Sequence, residues 1–138
     1  MKNNPYPHQN FASTEDYLEE LILWTSGERG RIPIDENNGG YEDLNVNDSE
    51  AKVLKVPQDA ISATISFEVD ASVTNKTRAL RYKKNGTAPT PISGQAFGDG
   101  DVLELFGKTS LTNFKVIGIE EGKIHTLRVQ YYKTAQIQ

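Results

Sequence analysis

The stretch ISATISFEVD, Ile61 to Asp70, alternates without a break. Ile61, Ala63, Ile65, Phe67 and Val69 fall on one side, and Ser62, Thr64, Ser66, Glu68 and Asp70 on the other. Successive side chains of a strand point to opposite faces, so this period of two predicts a strand with one buried and one wet face. A face of that kind needs a second apolar layer, and the neighbouring sequence offers one in short pieces. Upstream, Val53, Leu54 and Val56 read as a brief strand that Pro57 closes, because proline has no N–H to give a ladder. Downstream, Arg78 to Lys83 reads as a strand with Leu80 and Tyr82 on one face and Ala79 and Arg81 on the other.

From Lys84 to Asp101 the chain makes a turn-rich excursion. Asn85-Gly86 tolerates positive φ, Pro89 and Pro91 stiffen the residues around them, and Gly94, Gly98 and Gly100 supply further turning points. Val102 to Phe106 then resumes a strand that Gly107 ends. Phe114, Val116, Ile117 and Ile119 mark another apolar run, and His125, Leu127, Val129 and Tyr131 alternate with Thr126, Arg128 and Gln130. Glu121-Gly122 between these two runs predicts a hairpin. Short antiparallel strands at close spacing predict an all-β domain, an antiparallel β-sandwich of jelly-roll-like form, over residues 51–134.

The first fifty residues read differently. Residues 1–12 show no periodicity, and their prolines and asparagines predict a tail. Ser13-Thr14-Glu15-Asp16 has N-cap chemistry. Tyr17, Leu18, Leu21, Ile22 and Trp24 come next at helical spacing, so an amphipathic helix is expected at about Thr14 to Ser26. Its apolar face would pack on the β domain or on another chain. DENNGGYEDLNVNDSE, Asp35 to Glu50, reads as an acidic loop. Set against a calcium loop, Asp35, Asn37 and Gly40 fall at suitable places, but Val46 stands where a bidentate Glu is needed.

The chain has 138 residues and no cysteine, so one domain with an appended arm is expected and disulfides are excluded. Residues 1–50 carry three Lys/Arg against eleven acids, −8, and residues 51–138 carry twelve against eight, +4, which gives the overall −4. Opposite signs would favour contact between arm and domain or between subunits. No apolar run has the length of a membrane span, and MKNNPYPHQN is not a secretory leader, so a cytoplasmic or virion-associated protein is expected.

No catalytic constellation stands out. The two histidines, His8 and His125, are far apart, which leaves a cupin-type metal site unsupported, and His125 reads as a packed or sheet-surface residue. There is no G-x-S-x-G, P-loop or dinucleotide fingerprint. Asp99 and Asp101, two apart on an extended chain, would point the same way, whereas glycoside hydrolysis needs acids on opposite sides of a substrate. No cofactor and no metal is therefore expected. Arg81, Tyr82, Lys83 and Lys84 form a basic, aromatic run. The net acidity and the lack of an RNA-binding motif argue against nucleic acid. With Leu21 and Trp24 of the helix, these four make up the expected interaction surface.

The run Ala79 to Gly94 resembles a pattern in small β-rich phage and prophage-type structural proteins. There a strand leads to a D/N-G-S/T-x-P-T turn, a glycine, and a G-D-apolar strand start. Asn85-Gly86-Thr87-Ala88-Pro89-Thr90, Gly94 and Gly100-Asp101-Val102 match those places. The resemblance covers about residues 56–134 and implies an assembly or decoration module without catalytic residues. The expected function is thus a non-enzymatic structural or protein-interaction module, self-associating or docking on a larger assembly. A carbohydrate-binding module is the alternative, and it requires a solvent-facing row of two or three rings. A hydrolase is the third, and it requires acids converging in a cleft.

Overall fold

The alternating runs find their second layer in a pair of antiparallel sheets. A computed structural model describes residues 30–135. Along them run β1 (Arg31–Pro33), β2 (Tyr41–Val46), β3 (Lys52–Val53), β4 (Ser62–Glu68), β5 (Leu80–Lys83) and β6 (Gln95–Phe97). Next come β7 (Val102–Phe106), a short helix α1 (Lys108–Asn113), β8 (Lys115–Gly118) and β9 (His125–Thr134). The first sheet has the order β1-β9-β4-β7, with β2 beside β1 on the same side of β9, and the second has the order β3-β8-β5-β6. β2 pairs β9, β3 pairs β8, β4 pairs β7 and β5 pairs β6. These nested pairs are those of one long hairpin rolled into two facing sheets, which is jelly-roll topology. The expected all-β antiparallel sandwich is present. The expected helix at 14–26, with Leu21 and Trp24, lies outside the described residues. No described helix is long and apolar enough to cross a membrane.

The core is a direct result of the alternation. Ala63, Ile65 and Phe67 of β4, Leu127, Val129 and Tyr131 of β9 and Leu105 of β7 face Leu80, Tyr82, Phe114 and Val116 from the other side, all buried. Phe97 stacks on Phe67 at 4.7 Å and meets Tyr82 at 4.8 Å, and Tyr82 meets Phe114 at 5.5 Å. Each large apolar side chain taken out of water here contributes roughly 1.5–3 kcal/mol before conformational entropy is set against it.

Several expectations are corrected. The acidic loop at 35–50 contains a 3-10 turn, Glu36–Asn38, followed by the six-residue strand β2. Only Leu44 and Val46 give β2 an apolar inner side. Its third inward position is Glu42, whose carboxylate accepts the buried Tyr131 hydroxyl and the Lys55 N–H. The carboxylate thus stands in for a core residue, and the strand is held by β9 rather than by its own composition. β1 and β2 therefore belong to the same sheet as β4 and β9, which removes the expected boundary at residue 50. The expected hairpin across Glu121-Gly122 is likewise absent, because β8 and β9 lie in opposite sheets. Finally, residues 108–113 form α1, and the excursion contains β6.

Candidate interaction surface

The outer face of the first sheet is built by register. Residues directly opposite on paired strands share a face. Pro33, Tyr132, Ser62 and Phe106 therefore form one row, Tyr41, Gln130, Thr64 and Glu104 the next, and Asp43, Arg128, Ser66 and Val102 a third. The side chain of Arg31 lies across the first of these. Its guanidinium sits 4.0 Å from the Tyr132 ring centroid and 5.8 Å from that of Phe106. It donates to Ser62 Oγ at 2.9 Å and Glu104 Oε1 at 3.3 Å. Glu104 Oε2 accepts the Thr64 hydroxyl at 2.7 Å, so both carboxylate oxygens are turned onto the sheet. A partly desolvated cation over a ring contributes about 0.5–2 kcal/mol. Further along, Arg128 bridges Asp43 and Glu68, and Tyr41 donates its hydroxyl to Asp43. Those charges are open to solvent and stabilise little.

This face ends at β7, an edge of the first sheet. Among the described residues no strand pairs with its far side. Gly107 N–H donates to Ile61 O at 2.7 Å, so alternation of the antiparallel ladder makes 63–105 and 65–103 the hydrogen-bonded pairs. The backbone groups of Val102, Glu104 and Phe106 consequently point away from β4. On the outer face of the same strand Val102 is 58% exposed and Phe106 38%.

Of the residues singled out in the sequence, the described ones, Arg81 to Lys84, do not share one surface. Tyr82 is buried between Phe97 and Phe114 and is a core residue, because Leu80 and Tyr82 face inward along β5. Arg81 points the other way, and its guanidinium donates to Pro91 O and Gly94 O, clamping the excursion to its own strand. Lys83 and Lys84 line an open cleft of about 420 Å³ with Tyr82, Asn85, Gly94 and Gln95. The residues that do converge, Arg31, Glu104, Phe106 and Tyr132, were not among them. The one local signal for them was the apolar Val102 and Phe106 on the polar side of an alternating strand.

The acids at one end of the sandwich hold turns. Asp99 accepts the Val69 N–H and Asp101 the Gly98 N–H. Glu120 accepts the Thr74 N–H and hydroxyl, and Asp48 the Gly122 N–H. Among the described residues no group of three His, Cys, Asp or Glu is placed to hold a metal ion.

His125 is buried beneath these turns. Its Nδ1 accepts the Asp70 N–H at 3.1 Å, and Nε2 has no hydrogen-bond partner among the described residues. Burial holds its pKa below the ordinary 6.5, outweighing the pull of the Asp70 and Glu120 carboxylates. An unfolded histidine titrates near 6.5, so below that pH the unfolded chain binds a proton that the native chain does not. Stability is therefore lost as pH falls below about 6.5. Asp70, pulled down to about 2 chiefly by the Ser72 N–H and hydroxyl, adds its own loss only below about 3.8. His125→Asn keeps an acceptor for the Asp70 N–H and removes the titration. Denaturant melts between about pH 7 and 5 will show a flatter pH dependence in that variant. Equal slopes would show that another group is responsible.

Compared with known proteins, the chain matches no family model, no curated protein and no solved structure at a significant level.

Proposed function

We propose that this chain is a non-enzymatic structural or protein-interaction module that works by self-association. The observation that carries the reading is the β7 edge, with outward backbone groups and exposed Val102 and Phe106 on a single strand. Jelly rolls serve in capsid shells and in lectins, so the fold leaves the choice to the surface. The motif from Asn85 to Val102 adds the likeness to phage-type assembly proteins and makes a role in such an assembly part of the proposal. Light scattering over a wide concentration range tests it. The expected result is a weight-average mass that climbs above that of the monomer as concentration rises, and a strict monomer throughout would overturn the reading.

Carbohydrate binding is the second reading, favoured by Tyr41, Tyr132 and Phe106 on one outer face beside Gln130 and Thr64. Arg31 already lies over the rings of both Tyr132 and Phe106, which leaves Tyr41 as the ring it does not cover. A silent glycan array would remove this reading.

A further inference from the structure

We infer that two copies of this chain join antiparallel along β7, in a register centred on Glu104; this rests on the self-association reading and names its interface. Sheet edges are normally blunted by lysine, proline, shortness or a bulge. The other described edges show such devices. β1 has three residues and ends in Pro33, β3 has two and β6 three, and β2 carries Glu42 and Asp43. β7 has five residues, VLELF, with one charge. That charge is already satisfied, since Glu104 is bonded to Arg31 and Thr64 on its own sheet.

The edge is also self-complementary. The N–H and C=O groups that no described strand pairs belong to Val102, Glu104 and Phe106. A two-fold axis through Glu104 pairs these groups with each other and sets Val102 opposite the partner's Phe106, twice. A β-branched side chain facing an aromatic one is a favourable cross-strand pair. The two exposed apolar side chains of the strand thus cover each other, as an isologous contact requires. A slip of two residues in either direction would set Val102 or Phe106 against the partner's Glu104. The central pairing of Glu104 with its twin would be repulsive for free carboxylates. Here Arg31 lies 3.3 Å from each and offsets the charge.

Val102→Lys places two cations in the interface and is expected to raise the dimer dissociation constant about tenfold or more. Val53→Lys, at an equally exposed site on β3, should leave it unchanged. Circular dichroism will confirm that both variants fold. Cysteine pairing reads the register directly, because the native chain has no cysteine. Hydrogen-bonded antiparallel partners lie about 5.5 Å apart at Cα, within the roughly 4.4–6.8 Å that a disulfide spans. A mixture of Val102→Cys and Phe106→Cys chains should therefore cross-link under mild oxidation, and neither variant should do so alone. A monomeric wild-type protein would sink this inference together with the function it rests on. A wild-type protein that associates, with Val102→Lys unaffected or the mixed disulfide absent, would sink the β7 interface and leave the function standing.

Discussion

Phe114→Ala will unfold in denaturant with a free energy lower by about 3–5 kcal/mol. Phe114 is 0% exposed and sits where α1 ends and β8 begins, with extended backbone at φ −64° and ψ 129°. Its ring meets Tyr82 in the stack that leads through Phe97 to Phe67, and so crosses from one sheet to the other. Truncation removes the ring and leaves a void, since strands held by ladders on both sides cannot close over it. The midpoint should fall while the slope stays constant, as expected for lost native packing rather than an altered unfolded state. Phe106→Ala is the comparison, because its ring is over a third exposed and rests on Arg31; its cost should be about 1 kcal/mol. Equal losses at the two positions would contradict the assignment of Phe114 to the core.

The second large effect is expected at Gly40. A Cβ added there would lie 1.9 Å from Ile34 O, 2.4 Å from Ile34 C and 2.8 Å from Asp35 O. All three are backbone atoms, and none can rotate aside. The same corner is tied to β9. Gly40 O accepts the Tyr131 N–H at 2.7 Å and the Gln130 side-chain amide at 3.0 Å, while Ile34 N–H donates to Tyr131 O at 3.0 Å. Gly40→Ala must therefore shift the turn between β1 and β2 and break part of this pairing. A loss of about 3 kcal/mol is expected, at the upper end for overpacking. Hydrogen exchange should localise the damage, with the Ile34 and Tyr131 amides losing protection before those of β4. A variant as stable as the wild type, with both amides still protected, would show that the close approach is not required.

These two sites divide what could be read in advance from what could not. Phe114 was visible as a member of an apolar run, although the helix that delivers it to the core was not. Gly40 read as one of two glycines in an acidic loop. Nothing near it in sequence shows that Ile34 O would occupy the place of its side chain. The candidate surface divides in the same way. The basic run from Arg81 to Lys84 drew attention because its charges are adjacent, yet Arg81 is spent on two carbonyls and Tyr82 on the core. Arg31 and Glu104, 73 residues apart, meet only because β1, β9, β4 and β7 are neighbours in one sheet.

By itself the sequence determined that β4, β5, β7 and β9 are strands and which side of β4 and β9 is buried. Ile65, Phe67, Leu127, Val129 and Tyr131 are inside because the backbone turns every second side chain the same way, and that rule acts within a few residues. The tertiary structure alone decided which strand lies beside which. It sent β8 and β9 to opposite sheets, made Glu42 the acceptor for a buried tyrosine, and left β7 at an edge. Periodicity records that a face must be covered but carries no address for what covers it. That choice falls to ladders and packing formed between residues remote along the chain.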